Sequence, residues 1–258
     1  MIVLEGDYHT HTIYSSGLRK KGPYHATGSI EENVVSAYKK GLKTIVISDH
    51  GPRHYLYGLR LEYLKEIKDE IKRLREIYEP KGLRVLLGLE SNIVGIDGEL
   101  DVDDKLLKEL DILLMGYHYG VIPIGAKDAI NLYWDTQVSK LVNSMSEKSK
   151  DMMTRAYINA MQKYPIDIIA HPGAKAAIHI KELATEAIKY NTALEISSKH
   201  KELSIESLKE IQDIGVKLYI NSDAHQSSFV GEVKKGIEKA LSSGIDLNRI
   251  ENIRVYEE

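Results

Sequence analysis

The chain carries ten histidines and no cysteine. Six of the histidines, with several acids, fall in short clusters: Asp7-Tyr8-His9-Thr10-His11, Ser48-Asp49-His50-Gly51, Gly88-Leu89-Glu90, Gly116-Tyr117-His118, Ala170-His171-Pro172-Gly173 and Asn221-Ser222-Asp223-Ala224-His225. Imidazole nitrogens and carboxylate oxygens are ligands for zinc, manganese or iron. His9 and His11 stand two residues apart, so on extended backbone both rings face the same way and can chelate one ion. Asp223 and His225 repeat that spacing. A lone histidine after a strand usually packs in a loop or a core. Here the pattern recurs in separate segments together with Glu90 and Asp223, and the set exceeds one coordination sphere, which implies two or more metals. The missing cysteines exclude disulfides, cysteine-type zinc fingers, iron–sulfur clusters and thiol catalysis.

Such ligands need a scaffold that brings distant segments together. Eight stretches are β-branched and mostly lack strict alternation: Val3–Tyr8, Thr44–Ile47, Arg84–Leu89, Ile112–Gly116, Ile166–Ala170, Ala193–Ile196, Lys217–Ile220 and Asn252–Tyr256. That pattern fits strands buried on both faces. Amphipathic runs fill the gaps. Ser29-Ile30-Glu31-Glu32 is a capping box, followed by Val34, Val35 and Tyr38 on one face and Gly41 as the stop. Leu61–Tyr78 carries Leu64, Ile67, Ile71 and Leu74 at helical spacing. Ala129–Tyr164 reads as two helices broken near Asn143–Glu147, while Ile205–Ile214 and Val233–Ser243 each end at a glycine. Strand–helix alternation implies parallel strands with right-handed crossovers, and this many units suggest a closed or nearly closed β/α barrel. No linker interrupts residues 1–258, so one domain is expected. The polar clusters all come after strands, and in a parallel barrel they converge on the C-terminal rim.

This ordered set resembles the PHP family, the polymerase-and-histidinol-phosphatase domain. It is most similar to the stand-alone PHP phosphoesterases and to the PHP domain attached to some family X DNA polymerases. Gly98-Glu99-Leu100-Asp101 also matches the segment downstream of the family's glutamate, and the match runs from about Asp7 to His225. The resemblance implies a distorted (β/α)7 TIM-like barrel with three divalent metal ions, zinc first, with manganese and iron as alternatives. By that pattern His9, His11, Glu90 and Asp223 hold one metal, and Glu90, bridging, holds a second with His118 and His171. His50 and His225 hold a third with a histidine of the first loop, for which His25 is the candidate despite the insertion-like Leu18–Tyr24. The activity implied is that of a histidinol-phosphatase-like phosphoric ester hydrolase. A metal-bridging hydroxide would attack a small phosphate monoester, with Glu90 and Asp223 at the reacting centre.

Other residues adjoin this pattern. Arg19 and Arg53, with Lys20 and Lys21 nearby, stand on rim loops where cations could clamp phosphoryl oxygens, the alternative being a solvated charge cluster. Asp7 and Asp49 could orient imidazoles, or Asp49 could turn into the barrel. His54 and His200 read as surface histidines, with a phosphate contact or proton donor as the alternative; His179 reads as helical and without a role. Tyr8, Tyr117 and Tyr119 read as packing residues. Where the family often shows Glu-Ile-Asn-Asn, this chain has Glu195-Ile196-Ser197-Ser198, which leaves substrate recognition open.

Lys+Arg 35 against Asp+Glu 38 gives a net charge of −3, and 43% of the 258 residues are hydrophobic. That is an ordinary globular mix, and it argues against a general polyanion binder. The alternatives are therefore a nuclease acting on DNA ends, an amidohydrolase barrel, and a non-catalytic metal-binding module that docks partners. Amidohydrolases usually carry a bridging lysine where this chain has His118. The start, Met1-Ile2-Val3-Leu4, is interrupted by Glu5, and no apolar run is long enough for a membrane span, so a cytoplasmic location is expected. A homo-oligomer is compatible with the sequence. Abundant lysine, glutamate and isoleucine match the drift of thermophile proteins or of an AT-rich genome.

Overall fold

The computed structural model describes residues 1–132 and 147–256. Its strands are β1 (Ile2–Leu4), β2 (Gly6–Thr10), β3 (Thr44–Ile47), β4 (Arg84–Asn92), β5 (Ile112–Gly116), β6 (Ile168–Ile169), β7 (Ala193–Ser197), β8 (Leu218–Asn221) and β9 (Ile253–Val255). Strands β2 to β8 form one seven-stranded sheet in sequence order, each neighbouring pair parallel. A parallel bridge between Thr10 and Ala224, with His11 N–H donating to the Ala224 carbonyl at 2.8 Å, brings β2 against the end of β8. The sheet is thus a nearly closed barrel in a single domain, as the strand–helix rhythm implied.

The stretch Val3–Tyr8 is not one strand. β1 pairs antiparallel with β9 outside the barrel, and the chain changes partners at Glu5. Glu5 N–H donates to the Asn252 carbonyl at 2.8 Å, while the Glu5 carbonyl accepts from Lys43 N–H at 2.6 Å and Thr44 N–H at 3.1 Å. One residue hands the backbone from the outer ribbon to the barrel.

Alternation along the strands divides the core. Val46, Ile112, Leu114, Ile168 and Ala193 form a small cluster with Tyr8, Leu86 and Tyr219, so every barrel strand contributes to it. This is the barrel interior. Ile45 and Ile47, on the opposite face of β3 from Val46, join the larger cluster beneath the helices. Helix Ile30–Lys39 starts at the expected capping box, with Ser29 Oγ accepting from Glu32 N–H at 3.1 Å and Ser29 N–H donating to Glu32 Oε2 at 2.8 Å. Helix Leu64–Tyr78 buries Ile67, Ile71 and Leu74, each worth roughly 1.5–3 kcal/mol of transfer free energy. The remaining long helices are Glu147–Lys163, Ile180–Lys189 and Lys234–Ser243; Ile205–Glu210 is shorter than its periodicity implied. The break expected near Asn143–Glu147 falls mostly outside the described residues. Among the described residues no helix is long and apolar enough to cross a membrane.

Candidate metal centre

The apolar plug fills the barrel, so the polar residues collect above it at the C-terminal strand ends. His9 lies on β2 and His11 just past it; Glu90 lies on β4; His50, His118 and His171 come after β3, β5 and β6; Asp223 and His225 come after β8. Glu90, His9 and His11 are fully buried. Four described non-glycine residues adopt positive φ, and two of them are here: His171 at +29° and Asp223 at +52°. Left-handed backbone costs an L-residue about 1–2 kcal/mol, a cost that the surrounding contacts must offset at these two positions.

Donor atoms crowd one another in three sets. His9 Nε2 is 3.1 Å from His11 Nε2 and 3.3 Å from Glu90 Oε2; His11 Nε2 is 3.5 Å from Glu90 Oε2 and 3.3 Å from Asp223 Oδ1; His9 to Asp223 is 3.8 Å. Glu90 Oε1 lies 3.3 Å from His118 Nε2 and 2.8 Å from His171 Nε2, and these two nitrogens are 3.3 Å apart. His25 Nε2 is 3.0 Å from His50 Nε2 and 2.7 Å from His225 Nε2. A metal bound at 2.0–2.2 Å by nitrogen and oxygen spaces neighbouring donors roughly 2.9–3.6 Å apart, from octahedral to tetrahedral geometry. Buried His11 Nδ1, His50 Nδ1, His171 Nδ1 and Glu90 Oε2 have no hydrogen-bond partner, although His50 Nδ1 is only 2.9 Å from Glu90 Oε2. Buried polar atoms are normally satisfied. His50 Nδ1 and Glu90 Oε2 thus face each other unsatisfied, and ligand-type atoms clustered mostly at these spacings fit bound divalent cations.

Electrostatics point the same way. Burial opposes charge on Glu90, but His118, His9 and His50 outweigh it and hold its carboxyl well below the usual range. Asp223 is likewise held low against burial by His9 and its hydrogen bonds to His11 and His200. Burial pushes His25 down to about 2, His50 to about 3 and His54 to about 4, each reinforced by neighbouring histidines. His9 is the exception: Glu195, Glu90 and Asp223 overcome burial and raise it. Ionised carboxylates beside neutral imidazoles are the protonation states that metal ligation requires.

The structure brings His9, His11, His25, His50, Glu90, His118, His171, Asp223 and His225 together. The first loop folds back so that the His25 ring stacks on Tyr57, with centroids 3.8 Å apart. Arg19 and Arg53 are not brought to this centre. Arg53 donates to the Ile122 and Pro123 carbonyls at 2.8 and 2.9 Å, and Arg19 lies over the Tyr24 ring and donates to the Leu56 carbonyl at 3.3 Å. Two loop carbonyls engage the Arg53 guanidinium, and one carbonyl with the Tyr24 ring engages that of Arg19. Lys21 is taken by Glu66. The cations that do line the 480 Å³ cavity over the centre are Lys175 and Lys199.

His54 and His200 are not surface histidines. His54 is 3% exposed, its Nδ1 accepts from Tyr57 N–H at 3.1 Å, and it lines the cavity. His200 Nε2 reaches Asp223 Oδ2 at 3.1 Å. His179 instead pairs with Asp151 at 2.8 Å, away from the cavity. Asp7 and Asp49 orient no imidazole. Asp49 accepts from Thr12 N–H at 2.7 Å, Thr12 Oγ1 at 2.6 Å and Ser15 Oγ at 2.5 Å, pinning the loop after β2. Asp7 ties β2 to the loop after β8 through Ser222 and Gly231.

Two carboxylates do support imidazoles. Glu195, fully buried on β7, accepts from His9 Nδ1 at 2.9 Å, from His171 N–H at 2.8 Å and from Asn221 Nδ2 at 2.9 Å. Asp101 accepts from Asn92 N–H and Nδ2, both at 2.6 Å, and Asn92 Oδ1 in turn meets His118 Nδ1 at 2.8 Å. Each fixes which ring nitrogen is left for a metal. The available signal for Glu195 was a carboxylate inside an otherwise apolar strand.

The PHP domain family model matches residues 7–199. A "Probable phosphatase" of Shewanella frigidimarina is 31% identical over 95% of this chain and 88% of its own length. A probable phosphatase of Thermoanaerobacter sp. is 31% identical over 96% of this chain and 90% of its own. Among solved structures, the histidinol phosphate phosphatase of Lactococcus lactis, complexed with zinc, L-histidinol and phosphate, superposes with a TM-score of 0.58 at 14% identity, covering 94% of each chain. With the family match spanning most of the barrel, the chain belongs to the PHP domain family.

Proposed function

We propose that the chain is a metal-dependent phosphoesterase that hydrolyses a small phosphate monoester, histidinol phosphate or a similar compound. The observation that carries this is the convergence of nine nitrogen- and oxygen-bearing side chains beneath one cavity with two lysines on its wall. His9, His11, Glu90 and Asp223 would hold one cation, Glu90 with His118 and His171 a second, and His25, His50 and His225 a third. Zinc is the metal proposed, with manganese and iron as alternatives. Bound divalent cations supply Lewis-acid stabilisation of a phosphoryl group and a water made acidic enough to react near neutral pH.

The chain's own residues do the rest. Glu195 and Asn92 hold His9 and His118 in one orientation, so no reorganisation is needed when charge develops. Lys199, whose Nζ lies 3.3 Å from Asp223 Oδ2, takes the clamping role that Arg19 and Arg53 cannot fill from their positions. Lys175 stands on the same wall. His200 lies outside the three donor sets, within reach of the cavity, and can pass a proton to a leaving alkoxide; His54, kept neutral by burial, can only donate a hydrogen bond. Tyr57 and Tyr119 add aromatic surface to the cavity lining.

The test is phosphate release by chelator-stripped protein reloaded with zinc or manganese, on histidinol phosphate, other monoesters and single-stranded DNA. Turnover of monoesters is expected. No rate above buffer on metal-loaded protein would refute the reading, and cleavage of DNA alone would replace it with a nuclease.

A further inference from the structure

A second cavity, of about 700 Å³, opens between the loops after β7 and β8 and shares Lys199, Asp223 and His225 with the cavity over the metal centre. A phosphoryl group at the centre therefore has contiguous room for its organic half. The wall of that room is chemically distinctive. Phe229 is the only phenylalanine of the chain, and it is 53% exposed. It closes the short turn Ser227–Phe229, and Lys40 holds that turn in place by donating to the Ser228 and Val230 carbonyls at 2.8 and 2.7 Å. An aromatic face on a stapled turn is a preformed platform for a flat ring.

The charges on the wall favour an anion. Lys199, Lys234 and Lys235 face Asp223 and Glu232. Asp223 belongs to the candidate ligands, and Glu232 is neutralised by Lys40 at 2.6 Å. Lys234 reaches only Glu238, at 4.0 Å on its own helix, and Lys235 has no ion pair among the described residues.

We propose that this cavity is the leaving-group subsite, and that it takes a ring-bearing alcohol or phenol carrying a second anionic group. The proposal rests on the phosphomonoesterase reading and narrows it away from histidinol phosphate, whose leaving alcohol carries an ammonium instead of an anion. In the step concerned, water adds to phosphorus and the ester P–O bond breaks. The ring alcohol departs with the proton that water gives up, leaving inorganic phosphate.

The experiment compares 4-carboxyphenyl phosphate, phenyl phosphate and glycerol phosphate on the zinc-loaded full chain. The carboxylated ester is expected to exceed phenyl phosphate in kcat/KM by about tenfold, as two exposed cations can supply. In Lys234→Ala/Lys235→Ala that ratio collapses toward one. In Phe229→Ala both aryl esters lose about tenfold relative to glycerol phosphate. The free leaving group, 4-hydroxybenzoate, gives a readout without turnover: it binds the metal-free wild type and loses affinity in the lysine double variant. A preference that is absent, or that survives these variants, overturns the subsite while leaving the phosphomonoesterase reading intact. If no ester is turned over by the loaded wild type, that reading fails and the subsite fails with it.

Discussion

Replacing Glu195 tests whether one buried carboxylate organises the metal centre. Glu195 accepts from three donors, His9 Nδ1, the His171 amide and Asn221 Nδ2, none longer than 2.9 Å. In Glu195→Ala all three lose their acceptor in a fully buried site. Each stranded donor costs about 1–3 kcal/mol, so a loss of several kcal/mol of stability is expected. Glu195→Gln is the sharper probe. An amide turned to keep its oxygen toward His9 and Asn221 points its NH2 at the His171 N–H, so one donor faces another. The stability loss then falls to about 1–3 kcal/mol, and the variant should still fold. His9, however, loses the charge that raises its basicity, and His171 loses the acceptor that holds its backbone at φ +29°. Removing such outer partners costs about 10–100-fold in metal affinity. The assay is zinc competition against a chromophoric chelator, with thermal unfolding in parallel. A folded Glu195→Gln variant that binds zinc with wild-type affinity would refute the reasoning, because the carboxylate would then be only a strand-packing residue.

The same geometry carries three further expected outcomes. If Lys199 is the proposed clamp, Lys199→Ala should raise KM for a phosphomonoester by roughly three- to tenfold with a smaller change in kcat, because its half-exposed ammonium would grip the substrate without holding metal; an unchanged KM in steady-state assays counts against the clamp. Asp101→Asn places an amide donor against the donors of Ser91 and Asn92, so about 1–3 kcal/mol of stability should go, together with part of the zinc affinity, in a melting and titration experiment. Metal-free protein should lose stability as pH falls from 7 to 5. His50 and His54 titrate near 3 and 4 when folded but near 6.5 when unfolded, so across that window the unfolded chain binds more protons. Each costs about 2 kcal/mol at pH 5, and His9, whose value is raised, offsets part of it. A melting temperature unchanged between the two pH values in chelator would contradict this.

How much of the molecule was legible in the sequence depends on how far each interaction reaches along the chain. Thr44–Ile47 and Ile112–Gly116 were readable to the residue because a strand covered on both faces reads as a near-continuous β-branched and apolar run. The donor set was readable because imidazole and carboxylate repeated after strand after strand serve metal binding far better than they serve packing. Direction was not readable. Arg19 and Arg53 show their charge in the sequence, but only the fold shows that neighbouring carbonyls consume it and that Lys199 faces the centre instead. The exchange at Glu5 was hidden because it depends on Asn252, at the far end of the chain. Glu195 was hidden for the same reason, since its partners lie 186, 24 and 26 residues away. A carboxylate at an inward position of an apolar strand is costly to bury unless the fold supplies donors. Such a residue, found next to histidine-bearing strand ends, therefore implies partners among those histidines, and that inference uses nothing beyond strand alternation and the cost of burial.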